Sequence, residues 1–209
     1  NEASFFNTVE AYDPATNTWA TKAPMPTPRS ELVVVVVNGI LYAVGGEAGV
    51  NNFVTTVEAY DPVTNTWTTK APMPTAREAY AGGVVNGILY AVGGDGSANN
   101  FAFLATNEAY DPVTGIGTTK APMPKVRRSH AVGVVNGILY AAGGHTGTNY
   151  QNTVEFNDVD AYDPTTDTWT AKAPIPTRRT GVAGGVVNGV FYVVGGWNST
   201  NGTVATNEA

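Results

Sequence analysis

Four arginines stand at one fixed place in this chain: Arg29, Arg77, Arg127 and Arg179 each follow a proline by three residues. Guanidinium groups gathered together suit carboxylates or phosphates, which they grip through paired hydrogen bonds. An acidic protein or peptide partner is the expectation that follows. The same recurrence can instead mean that each arginine ties one structural unit to the next through backbone carbonyls. Two further sets of positions vary between copies, as a specific site requires. After each Gly-Gly pair come Glu47, Asp95, His145 and Trp197, and three residues after each arginine come Leu32, Tyr80, His130 and Val182. With the arginines, the four residues after Gly-Gly and the pair Tyr80 and His130 make up the candidate ligand-binding set.

Other chemistry is thinly represented. His130 and His145 are the only histidines, a weak basis for a metal centre. The chain has no cysteine, hence no thiolate zinc site, no cysteine nucleophile and no disulfide. No Ser-His-Asp order or paired-carboxylate motif stands out, so no catalytic residue, metal or cofactor is expected. Asp13, Asp61, Asp111 and Asp163 each precede a proline, where a carboxylate bonds nearby turn N–H groups.

The elements that position these residues are read from an internal repeat. Ala-Tyr-Asp-Pro recurs at 11–14, 59–62, 109–112 and 161–164, and Gly-Gly follows each copy at a constant distance of 34 residues. All length variation lies between Gly-Gly and the next Ala-Tyr-Asp-Pro. Each unit reads as four strands. Strand a is the apolar run 32–37, matched by 80–85, 130–135 and 182–187, and an Asn-Gly pair ends it each time. Asn-Gly supplies the two positive-φ residues of a type I′ turn, so strand b (40–44, 88–92, 138–142 and 190–194) returns as a hairpin. Strand c alternates (56–60, 158–162) and leads through Asp-Pro-x-Thr to Asn17, Asn65, Gly115 or Asp167, residues that tolerate a left-handed backbone. Strand d carries Trp19, Trp67 or Trp169 and runs into prolines that cannot donate to a ladder.

Gly-Gly after a strand, then Tyr and Trp 6–7 residues apart, in units near 50 residues, resembles the Kelch repeat over essentially the whole chain. The resemblance implies an all-β propeller with four blades in this chain. The third copy departs from the pattern, with Gly117 in place of Trp, so that blade is expected to be less well packed at its outer edge. Residues 1–209 read as a single unit: strands c–d, then a–b–c–d three times, then a–b–c. Kelch propellers usually have six or seven blades. A piece of a longer array is therefore the expectation ahead of half an eight-blade homodimer or a compact four-blade ring. Beginning at Asn1 rather than a methionine, the chain is expected to have lost an upstream segment.

Strand order puts the a–b and c–d turns on one face and the b–c and d–a loops on the other. The second face holds all the length variation, and loops on a rigid scaffold are where binding residues concentrate. The resemblance implies arginines near the channel mouth of that face. Net charge −6 argues against nucleic acid and anionic membranes, and no apolar run reaches the roughly 18–20 residues of a membrane span. The function expected is a non-catalytic scaffold for a protein or peptide. Carbohydrate binding is the alternative, with Phe101, Phe103, Tyr150 and Trp197 as stacking platforms and a Thr/Asn/Gly-rich, Lys-poor composition that fits a secreted or cell-surface protein. A fragment of a Kelch-containing enzyme is the third reading. The copper oxidases of that family use a cysteine-modified tyrosine, which a chain without cysteine cannot form.

Overall fold

The computed structural model describes residues 5–96, 102–147, 153–200, 202–203 and 207–208. Three complete four-stranded antiparallel sheets follow one another, each in the order a–b–c–d. Blade 1 is Val33–Val37, Ile40–Val44, Val57–Asp61 and Thr66–Lys70. Blade 2 is Ala81–Val85, Ile88–Val92, Asn107–Asp111 and Ile116–Lys120. Blade 3 is Ala131–Val135, Ile138–Ala142, Val159–Asp163 and Thr168–Lys172. Before them stands a c–d hairpin, Glu10–Asp13 with Thr18–Thr21. After them comes blade 4, with strands a and b at Ala183–Val187 and Val190–Val194 and a short strand c at Asn207–Glu208. This is the all-β arrangement of Kelch propeller blades.

The turns form for the local reasons anticipated. Asn38 and Gly39 have φ of 50° and 79°, and Asn17, Asn65 and Asp167 are left-handed as well. Strand a begins one residue later than its apolar run, at Val33, Ala81, Ala131 and Ala183. The residues two before each start, Glu31, Ala79, Ser129 and Gly181, are left-handed and turn the chain into the strand. Three two-residue hairpins not foreseen from sequence stiffen the b–c loops, pairing Asp95–Gly96 with Ala102–Phe103, His145–Thr146 with Val154–Glu155, and Trp197–Asn198 with Gly202–Thr203.

The core lies between blades. Strand b is apolar on both sides because both sides meet a sheet, and Val44, Val92, Leu89 and Leu139 are at most 1% exposed. The strand-b tyrosine of one blade meets the strand-c tyrosine of the next: Tyr42 with Tyr110 at 6.5 Å, and Tyr90 with Tyr162 at 5.6 Å between ring centroids. At the outer edge a tryptophan latches blade 1 and blade 3 to the linker before each. Trp67 Nε1 donates to Ala23 O (2.9 Å) and Trp169 Nε1 to Ala121 O (2.8 Å). Asn65 and Asp167 accept from the N–H groups of those same two alanines. Blade 2 has glycine at both positions, Gly115 and Gly117, so neither side-chain latch can form there. In consequence the buried Tyr110 hydroxyl lacks the partner that Asn65 gives Tyr60 and Asp167 gives Tyr162.

Candidate functional site

The four arginines are structural. Their side chains are buried rather than set at a channel mouth: Arg29 is 3% exposed, and Arg77, Arg127 and Arg179 are 0%. Arg29 Nη1 donates to Glu58 Oε2 at 2.7 Å, Arg77 Nη2 stands 2.8 Å from Glu108 Oε1 as an ion pair, and Arg127 pairs with Asp160. Each guanidinium also donates to a strand-b or Gly-Gly carbonyl of its own blade, as Arg77 Nη1 does to Gly93 O (2.9 Å) and Arg179 Nη1 to Gly195 O (3.1 Å). A carboxylate buried beside them must be paired to remain charged. The arginines therefore bind the chain's own acids and carbonyls, fixing the d–a linker to strands b and c. This corrects the expectation that they receive a partner's carboxylates.

Tyr80 and His130 are also packing groups, a second correction. Each lies beneath the Gly-Gly of the preceding blade; the Tyr80 hydroxyl donates to Val44 O, and the His130 ring abuts Gly93. Burial, then the charge of Arg127, pushes the His130 pKa down to about 3, and neither ring nitrogen has a hydrogen-bond partner among the described residues. His130 is thus neutral in the fold.

Next to the arginines lies a second set of paired residues, of which Glu78, Asp95, His145 and Thr180 are buried while Trp197 is 43% exposed. The residue after each arginine and the residue after each Gly-Gly form a two-way backbone bridge: Ser30 with Glu47, Glu78 with Asp95, Arg128 with His145, Thr180 with Trp197. Ser30 N–H donates to Glu47 O and Glu47 N–H to Ser30 O, both at 2.9 Å, and the other three bridges repeat this exchange at 2.8–3.1 Å. The second glycine makes the approach possible. A Cβ on Gly46 would fall 2.4 Å from Ser30 O, and one on Gly94 2.6 Å from Glu78 O, at φ of 95° and 99°. Glu47, Asp95, His145 and Trp197 are therefore held at the start of the b–c loops by main-chain pairing that is indifferent to their side chains, with the side chains of Asp95 and His145 buried. Sequence reasoning missed their partners Ser30, Glu78, Arg128 and Thr180. The signal was present, because this position differs in all four copies directly beside an invariant residue.

The side chains join across blades. Arg128 Nη1 of blade 3 reaches Asp95 Oδ2 (3.1 Å) and Glu78 Oε1 (3.9 Å) of blade 2. Its Nε–H points at His145 Nε2, 3.3 Å away, while His145 Nδ1 lies 2.6 Å from Thr180 Oγ1 of blade 4. Since Nε2 accepts, the proton sits on Nδ1, and Thr180 Oγ1 accepts it in turn. Burial and the neighbouring Arg128 charge hold the His145 pKa down to about 4, so this neutral tautomer persists at neutral pH. Phe103 covers Arg128, its centroid 5.4 Å from Cζ, and meets the His145 ring edge-on at 5.5 Å. Phe101 and Tyr150 lie outside the described residues.

The result is a face of two characters. Toward blades 1 and 2 it is acidic. Burial and then the charges of Glu31, Glu47 and Asp95 push Glu78 up to about 7, with Arg128 opposing. Toward blades 3 and 4 a cleft of about 450 Å³ is lined by Arg128, Ser129, His145, Thr153, Thr180 and the 43%-exposed Trp197. Among the described residues no group of three or more His, Asp or Glu side chains is placed to hold a metal ion, and no helix is long and apolar enough to cross a membrane.

Comparison with known proteins places the repeats. A family model described as Kelch motif matches residues 1–26, 28–74 and 127–176. The chain is 50% identical over 46 residues to Kelch-like protein 40 of Xenopus laevis, covering 22% of this chain and 8% of that one. It is 47% identical over 49 residues, 23% of this chain, to the influenza virus NS1A-binding protein homolog of Mus musculus. The matched segments span about 8% of the length of these relatives.

Proposed function

The chain belongs to the Kelch-repeat family, and from that membership we propose that it is a non-catalytic scaffold that captures an extended protein segment on its b–c and d–a face. The observation that carries this reading is the set of four bridged residue pairs, identical in backbone and different in every side chain. A constant frame with variable chemistry confined to one face is the arrangement a recognition surface needs. The relatives support it in kind, one of them being named for binding a viral protein. The segment best suited carries a basic side chain for Glu31, Glu47 and Glu78, followed by an apolar or aromatic residue for the cleft beside Trp197.

Panning a random-peptide display library on the immobilised chain tests this. Enriched peptides should contain that basic–apolar order, and Glu78→Lys and Trp197→Ala should each weaken them at least tenfold. Peptides that bind both variants as well as the parent would reject the face. Carbohydrate remains the second reading on one observation, the half-exposed Trp197 beside the Ser129 and Thr180 hydroxyls. Phe103 is a poor sugar platform because its ring is taken by Arg128 and His145. A polysaccharide panel that leaves Trp fluorescence unchanged while peptides alter it would remove that reading.

A further inference from the structure

Blade 2 has a gap at its outer edge, and its neighbours show what fits there. In each c–d hairpin a strand-c tyrosine stands across the ladder from one strand-d residue: Tyr60 from Trp67, Tyr162 from Trp169, and Tyr110 from Gly117. Where the tryptophan is present, its ring lies 5.1 Å from the tyrosine ring, tilted by 40° or 39°. The linker alanines that these two rings reach, Ala23 and Ala121, are half-buried. Their equivalent before blade 2, Ala71, is exposed together with Pro72 and Pro74.

Gly117 looks directly onto that linker. A Cβ on it would stand 3.2 Å from Pro74 Cδ and 3.9 Å from Pro72 O, and one on Gly115 would meet nothing within 4 Å. Polar groups at the gap have lost the partners that the other blades supply. Ala23 O and Ala121 O accept an indole N–H, but Gly117 offers Ala71 O none. Ala23 and Ala121 donate their N–H groups to Asn65 and Asp167, but Gly115 offers Ala71 no acceptor. The buried Tyr110 hydroxyl is likewise unpartnered among the described residues. Every wall of the gap comes from residues 71–117, with a complete blade on either side.

We propose that the outer edge of blade 2 is a second docking site, which takes a tryptophan side chain of a protein partner onto Gly117 with its indole N–H donating to Ala71 O. The fold itself selects this occupant. The same frame holds an indole at Trp67 and again at Trp169, through the same tilted tyrosine and the same linker carbonyl. Indole combines a large apolar ring with a single donor, whereas a phenylalanine or leucine would leave the carbonyl unpaired. A ring arriving from solvent lies flat on the glycine and brings no Cβ into the narrow space beside Pro74. Gly115 belongs to a c–d turn, on the face opposite the b–c and d–a loops, so occupancy here does not compete with that face.

N-acetyltryptophanamide, a tryptophan side chain on an uncharged backbone, is the probe, titrated into the isotopically labelled full chain and followed by NMR. The amide signals of Ala71, Gly115 and Gly117 should move saturably, and N-acetylleucinamide should leave them in place. Gly117→Trp supplies the ring from the chain itself and should weaken binding at least tenfold. Pro74 must yield by a few tenths of an ångström to admit that ring. Trp67→Gly therefore serves as a second variant: it copies the gap into blade 1 and should bring a second set of shifts at Ala23. Random displayed peptides enriched on the parent but not on Gly117→Trp should carry a tryptophan whose replacement by alanine costs at least tenfold. Shifts confined to other residues, equal binding of the leucine compound, undiminished binding to Gly117→Trp, or no second set of shifts in Trp67→Gly would overturn the site. Binding of free indole with no tryptophan peptide enriched would overturn the protein partner.

Discussion

Glu78 and Arg128 occupy the same position in successive repeats, carry opposite charges, and stand 3.9 Å apart across the boundary between blades 2 and 3. One step along the repeat therefore inverts the chemistry of the face while its backbone stays the same. It also places a carboxylate whose protonation is sensitive near neutral pH among three other acids and one cation.

Raising the pH through 7 should destabilise the protein through Glu78. Its folded pKa, about 7, lies above its unfolded value of 4.5. The stability linked to it is therefore fully present below pH 4.5 and is lost as pH rises through 7. Glu31, Glu47 and Asp95 oppose its ionisation, and Arg128 favours it. Glu78→Gln should be more stable than the parent at pH 8 by about 1 kcal/mol after allowance for solvent screening, and equal to it near pH 5. Urea midpoints at the two pH values read the difference.

His130 gives the opposite slope. Its folded pKa of about 3 lies below the unfolded 6.5, so its contribution is present above pH 6.5 and is lost as pH falls toward 3. His130→Tyr copies the residue that blade 2 uses at this position, whose hydroxyl finds the carbonyl of Val44. Relative to the parent, the variant should gain stability progressively below pH 6.5, on the order of 3 kcal/mol by pH 3. Parallel acid unfolding curves for the two proteins would reject this.

Arg77→Ala should cost about 3–5 kcal/mol, because it leaves Glu108 charged and buried without its partner. The paired replacement Arg77→Met with Glu108→Leu should recover most of that loss, since an apolar pair of similar volume needs no compensation. Chemical denaturation of the three proteins decides it. A single variant as stable as the parent would show that the ion pair does not fix the linker.

Gly115→Asn should stabilise blade 2. Gly115 has φ of 72° and nothing within 4 Å of an added Cβ, and Asn tolerates that backbone. The new side chain would accept from the Tyr110 hydroxyl, as Asn65 accepts from Tyr60. It would also accept from the linker N–H of Ala71, as Asn65 does from Ala23. Two such bonds are worth about 1–2 kcal/mol together, visible as a higher melting temperature.

Much of this molecule could be read from its residues, for reasons that differ by element. Strands a and b and their turn were legible because Asn38-Gly39 and its equivalents set the backbone locally and the apolar run sets the burial. The variable face followed from strand order alone. The arginines were misplaced because their partners Glu58 and Asp160 lie 29 and 33 residues further on. Only the folded blade brings those acids beneath the linker. His130 and Tyr80 vary between copies, as a ligand contact would, yet their variation is absorbed under the preceding Gly-Gly. The pairing of Glu78 with Asp95 depends on how closely a glycine lets two segments approach, which no pattern of residue types states directly.

Because the bridge between the linker and the residue after Gly-Gly is written entirely in main-chain atoms, a whole repeat can be transplanted to another place in the array and carry its two display residues with it. Recombination between repeats would then change the side-chain chemistry beside the bridge in single steps while the main-chain frame stays the same.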